Sequence, residues 1–331
     1  MTTVFSIPSI NRRGSCPDIL FPEIIAQIFG QPSPCCSHFE GQWIGTGGHE
    51  LPVDKFGNAV ASARYLPGGD FQKAHTAIQV CLLGMAKQAG LTAFMEGTGF
   101  FAGRVAPLYL QRYMRATASN PNCEALIPDL IVHKYKSGAS LMGEVKRNGI
   151  HAGYGNYKTN TKAVEVRARS VKREYIGKAK KLDRLYAAEV NSPGPFENSL
   201  STFFEGGVTP FCFGAFGEAS GSVDKFVQRC AKLTAVRKEG LTLSPFDDTS
   251  GPLGAYGLVI RRFRTALAMT VAKENALLKS KRTQFIRSTR AAAAYAAKEQ
   301  KRGGSGYFDM NGCGGFGTNT YEYYFSRTGL H

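Results

Sequence analysis

Asp129, Glu144 and Lys146 are the residues of this chain whose types and spacing suit metal-assisted hydrolysis. Asp129 opens the run Asp129-Leu130-Ile131-Val132-His133, and Glu144-Val145-Lys146 closes a second β-rich run that begins at Ser140. Between them Lys136-Ser137-Gly138-Ala139 carries a turn signal, so the segment reads as a hairpin. A loop centred on Ser137 and Gly138 pairs Tyr135 with Ser140 and, by the same count, Asp129 with Lys146. Side chains alternate along a strand, so this register puts Asp129, Glu144 and Lys146 on one face. Asp129 and Glu144 are then diagonal neighbours, with Cβ atoms roughly 7–8 Å apart. Two carboxylates at that separation can hold one divalent ion, and an adjacent ammonium can orient or activate the attacking water.

The elements that must position these residues are legible on either side. Residues 71–89 have Ile78, Cys81, Leu82 and Met85 at helical spacing, with Asp70 as N-cap and Gly90 as terminator. Residues 91–96 read as a short strand and residues 107–115 as a second helix. After the hairpin, residues 162–187 form a basic helix in which Val164, Ala168, Val171, Tyr175, Ala179, Leu182 and Tyr186 make one apolar stripe. An apolar strand over 209–216 and a helix over 222–238 follow.

Pro128-Asp129 followed by Glu144-Val145-Lys146 resembles the signature hairpin of the PD-(D/E)XK nuclease superfamily, and the helix–strands–helix–strand order over residues 70–215 resembles that family's core. The Glu-Val-Lys run with its following basic helix looks especially like the restriction-type endonuclease domains of some retroelements. The resemblance implies an α/β fold, a small mixed β-sheet flanked by helices, here with a helical C-terminal extension. It also implies a metal-dependent endonuclease. Asp129 and Glu144 would coordinate Mg²⁺ (or Mn²⁺), with the carbonyl of Val145 as a further ligand, and Lys146 would act on water and phosphate. In this family another acid often comes from the element before the hairpin; Glu96 is the best candidate, because Asp70 is committed to capping.

Charge points to the same class of partner. Forty-one Lys and Arg against 25 Asp and Glu give +16, a balance that suits a polyanion, usually nucleic acid. The family resemblance implies DNA more than RNA. The loop Arg147 to Lys158 alternates Tyr154, Tyr157 and basic residues with glycines, which suits phosphate contact and stacking. The 162–187 helix has nine cations against three acids, so Arg169, Lys172, Arg173 and Lys180 are expected phosphate contacts. A non-catalytic nucleic-acid-binding protein with a vestigial nuclease fold would use the same basic residues.

No apolar run approaches the ~18 residues of a membrane span, and no secretory pattern opens the chain. Eight scattered cysteines without a repeated Cys-x-x-Cys suit a reducing compartment, nuclear or cytoplasmic. Cys35, Cys36 and His38 cluster without the second pair that zinc requires. Neither Gly-x-Ser-x-Gly, a Walker P-loop nor His-Glu-x-x-His occurs. The expected organisation is an irregular extension over 1–65, a nuclease-like core over 66–240, a basic helical appendage over 253–300 and a disordered Gly/Tyr-rich tail over 301–331.

Overall fold

The computed structural model describes residues 20–45, 48–63, 66–95, 99–119, 126–148, 157–187, 193–215, 217–239 and 254–294. The chain divides into two units, residues 75–271 and residues 2–74 with 272–331. The tail over 301–331 lies outside the described residues.

The 75–271 unit is α/β. Its elements run α3 (Asp70–Gln88, whose first turn belongs to the other unit), β3 (Ala93–Met95), α4 (Pro107–Ser119), β4 (Leu130–Lys136) and β5 (Ala139–Arg147), then α5 (Tyr157–Leu182), α6 (Pro195–Ser201), β6 (Val208–Phe213), α7 (Gly221–Thr234) and α8 (Ala255–Arg282, which belongs to the other unit from Ala272 on). The strands form one four-stranded sheet in the order β3-β4-β5-β6, antiparallel except for the parallel pair β5–β6. A parallel pair needs a crossover, and α5 and α6 lie within it. The expected mixed sheet flanked by helices is therefore what the chain forms.

Alternation along the strands sorts the core into two layers. Leu130, Val132, Leu141, Val145, Phe211 and Phe213 pack with α3, α7 and the first half of α8. Ile131, Met142, Val208 and Cys212 pack on the opposite face with α5 and with Phe196 and Leu200 of α6. Gly143 lets β5 and β6 share this packing, because a Cβ there would come within 2.5 Å of the Phe211 ring.

The hairpin turn is as expected, but the register is not. Ser137 and Gly138 both take positive φ (51° and 82°), as a two-residue turn between twisted strands requires, and Lys136 pairs with Ala139. Beyond it the ladder shifts by two residues, so that Leu130 faces Gly143, Ile131 faces Met142 and Val132 faces Leu141. Lys134, with φ 47°, sits in the irregular stretch. The expected pairing of Asp129 with Lys146 is corrected: one further step of the observed register sets Asp129 across from Glu144. A shift of two leaves the alternation of the paired residues intact, while Asp129 lies one residue outside β4.

Three boundaries also move. α5 begins at Tyr157, earlier than expected, and ends in a π-helical turn, Asp183–Ala187. α4 continues to Ser119. The core continues into α8, which falls in the span of the expected appendage over 253–300: Ala255, Val259, Phe263, Leu267 and Val271 recur every fourth position and are buried in the 75–271 unit.

In the other unit, the described part of the span expected to be an irregular extension carries regular structure. α1 (Phe21–Ile28) is followed by the two-stranded sheet of β1 (Trp43–Ile44) and β2 (Leu51–Pro52), then by α2 (Asn58–Ser62). Arg282, 2% exposed, donates to the carbonyls of Val60, Ala61 and Ala63 at the end of α2 and stacks over the Phe71 ring at 4.0 Å.

Candidate active site

Val145 points to the α3/α7/α8 layer, so Glu144 and Lys146, its neighbours on β5, point to the α5 layer. Glu144 is buried, and a buried carboxylate is costly without donors. It has two: the Lys146 ammonium, 2.5 Å from Oε1, and the Tyr175 hydroxyl, which donates to Oε2 at 2.5 Å. Tyr175 comes from the apolar stripe of α5, where its ring packs in the core and its hydroxyl needs a partner. Burial pushes its phenol well above the usual range, and the charge and hydrogen bond of Glu144 add to this. Asp129 pushes the same way, so both carboxylates bear on one phenol.

Asp129 sits one residue before β4 and is held by three donors. Oδ1 accepts from Gln79 Nε2 at 2.9 Å and lies 3.0 Å from His75 Nε2, while Oδ2 accepts the Val145 amide at 2.6 Å. His75 and Gln79 lie four residues apart on α3, hence on one face of that helix. The Val145 amide turns to Asp129 because β4 has no residue left to pair with it. In an extended strand the carbonyl of a residue points the same way as its amide, so Val145 offers its oxygen at the same opening.

The structure thus brings Asp129, Glu144, Val145 and Lys146 to one end of the sheet. Among the described residues no group of three or more His, Cys, Asp and Glu could hold a metal ion. An ion here would have two carboxylates and a backbone carbonyl, a hard-oxygen set that suits Mg²⁺ or Mn²⁺ with waters retained. The oxygens have capacity for it. Each Glu144 oxygen and Asp129 Oδ2 meets one donor, and a carboxylate oxygen accepts two. Gln79 is fully buried, and among the described residues its Oε1 has no hydrogen-bond partner, which leaves another acceptor beside Asp129.

The remaining sequence candidates divide. Glu96 and Tyr154 lie outside the described residues, as do the side chains of Tyr157 and Lys158 in the first turn of α5. Arg147 ends β5 and is partly buried. Arg169 and Arg173 are exposed. Lys172 lies 3.6 Å from Glu205 and Lys180 3.7 Å from Glu197, so these two are not uncompensated, as the bare count of charges on α5 suggests. Sequence reasoning missed His75, Gln79 and Tyr175. The four-residue spacing of two polar residues beside Ile78 and Leu82 was the signal for the first two; Tyr175 is indistinguishable from core by pattern alone.

The α8 cations are largely spoken for. Arg262 donates to Gln88 at 2.7 Å, Arg264 pairs with Asp224 at 2.7 Å, and Lys279 with Glu23 at 2.8 Å. Comparison with protein-family models, with curated proteins and with solved structures returns no match. Among the described residues no helix is long and apolar enough to cross a membrane.

Proposed function

We propose that this chain is a metal-dependent endonuclease that hydrolyses phosphodiester bonds of DNA inside the cell. One observation supports the reading above others: Asp129 and Glu144, from the two strands of one hairpin, flank the Val145 peptide, and Lys146 touches Glu144. Asp129, Glu144 and the Val145 carbonyl would hold Mg²⁺ or Mn²⁺, which when bound lowers the pKa of a water and neutralises charge gathering on the phosphate. Lys146 keeps its ammonium partly exposed at the same opening, where it can orient the attacking water and meet a phosphate oxygen. His75 and Gln79 fix the Asp129 carboxylate, and Tyr175 fixes that of Glu144. Pre-oriented ligands reduce what must be ordered when substrate arrives.

A second reading has its own support. All four carboxylate oxygens already meet a protein donor, which suits a non-catalytic DNA-binding protein whose acidic pair has become structural. Incubating the purified chain with plasmid and oligonucleotide DNA, in Mg²⁺, in Mn²⁺ and in chelator, separates the two. Cleavage that needs the metal and disappears with Asp129→Asn is the expected result. Binding without cleavage in every divalent ion would leave the second reading.

A further inference from the structure

Four cations stand in line on the outer side of α5. Lys162, Arg169, Arg173 and Lys180 are seven, four and seven residues apart, and all are exposed. At 100° per residue they fall within an arc of about 40°. That arc lies away from Val164, Ala168, Val171, Tyr175, Ala179 and Leu182, which face the sheet. The two acids of this helix are turned off the line: Glu165 accepts the Gly221 amide at 2.8 Å, and Glu174 pairs with Arg167 and accepts from Ser170. Among the described residues, Lys180 alone of the four shares an acid, Glu197, at 3.7 Å. Arg184 is exposed in the π-helical turn that follows.

We propose that this ridge is the surface that seats the DNA, and that it takes the phosphate backbone of a duplex without reading sequence. The proposal rests on DNA as the partner and not on cleavage. Eighteen residues of helix span about 27 Å, which corresponds to roughly eight base pairs at 3.4 Å each. A lone phosphate or a dinucleotide would meet only one or two of the four cations. Single strands are held by aromatic platforms, and the ridge exposes Val166 and Ile176 but no aromatic side chain among the described residues. The same helix carries Tyr175 on its buried side, so the element that seats the duplex also holds Glu144.

The test is fluorescence anisotropy of the full chain with a labelled duplex and the matching single strand, in chelator, across a series of salt concentrations. Chelator removes cleavage from the readout, so failure here and failure of the nuclease reading are distinct results. Wild type should give a log–log slope near −3 to −4 for about four phosphates, each contributing roughly 0.9. Arg169→Gln with Arg173→Gln should make the slope shallower by about 2 while leaving the thermal melt unchanged, since both side chains are exposed. Lys172→Ala, beside Glu205, should change it by clearly less. An unchanged slope in the double variant, an equal effect of Lys172→Ala, or equal affinity for the single strand or for polyglutamate would overturn the proposal.

Discussion

Tyr175 of α5 and Glu144 of β5 are joined by a buried 2.5 Å hydrogen bond that ties a helix of the outer layer to the candidate active site. The bond serves two purposes. It satisfies a carboxylate that is only 7% exposed, and it leaves that carboxylate oriented toward Lys146.

Tyr175→Phe keeps the ring in the apolar stripe and removes only the donor. Hydrogen bonds to charged groups contribute about 1.5–3 kcal/mol. A fall of that size in unfolding free energy is expected, with a Tm lower by several degrees. Mn²⁺ affinity, measured by calorimetry, should fall, because Glu144 loses the donor that orients it. A variant as stable as wild type, or one with unchanged or stronger Mn²⁺ binding, contradicts this role.

Asp129→Asn and Lys146→Ala should separate ion binding from chemistry. The asparagine keeps size but removes the charge that attracts the ion and one of the acceptors used by His75, Gln79 and the Val145 amide. It should abolish Mn²⁺ binding, reduce cleavage by orders of magnitude and cost about 1–3 kcal/mol of stability. Lys146→Ala should also stop cleavage yet retain the ion, since a lysine ammonium has no lone pair to give. Calorimetry alongside a gel-based cleavage assay reads both. Equal loss of Mn²⁺ binding in the two variants would remove the division of labour.

Asp129, one residue before β4, reaches His75 and Gln79 of α3, on the other side of the sheet from Tyr175, whereas the sequence announced the hairpin and, from strand alternation, the shared face of Glu144 and Lys146. It could not announce the ladder shift. The irregular stretch lies between Val132 and Lys136, where Lys134 takes a positive φ, and no residue type there demands it. His75 and Gln79 are fifty or more positions from Asp129, and only the packing of α3 brings them to it. The α8 cations misled for a related reason. A count of charges cannot show that Arg264 and Lys279 face Asp224 and Glu23.

Stability should fall steadily above about pH 8. Burial pushes the thiols of Cys36 and Cys81 up to about 11 and those of Cys212 and Cys230 up to about 12, and it also raises the phenols of Tyr135 and Tyr175. In the unfolded chain these groups ionise near 9 and 10. Between those values and the folded ones the unfolded state binds fewer protons, so unfolding becomes easier as pH rises. Thermal melts from about pH 7 to 10.5 check this, and Tyr175→Phe should lose part of the dependence. A flat Tm across that range would show that these groups are open to solvent.

In the unit of residues 2–74 and 272–331, Lys279→Met should be the more damaging of two related changes. Glu23 is fully buried and pairs with Lys279 at 2.8 Å, while Ser33 donates to its other oxygen at 2.6 Å. Burial alone would raise its carboxyl. The Lys279 charge and the hydrogen bonds from Lys279, Ser33 and the Cys35 amide outweigh it and hold the group below its ordinary value. Removing the lysine strands a buried carboxylate, at a cost of about 3–5 kcal/mol. Adding Glu23→Gln should recover much of that, because the amide oxygen still accepts from Ser33 and no charge remains. Acidification discriminates further. Wild type loses the Glu23 contribution as pH falls through its lowered value, whereas Lys279→Met should regain stability as the stranded carboxylate takes up a proton. Trp43, the one tryptophan of the chain, lies in this unit and gives the fluorescence signal for urea unfolding. A single variant within about 1 kcal/mol of wild type, or no recovery in the double variant, would show that the pair is not what holds this segment.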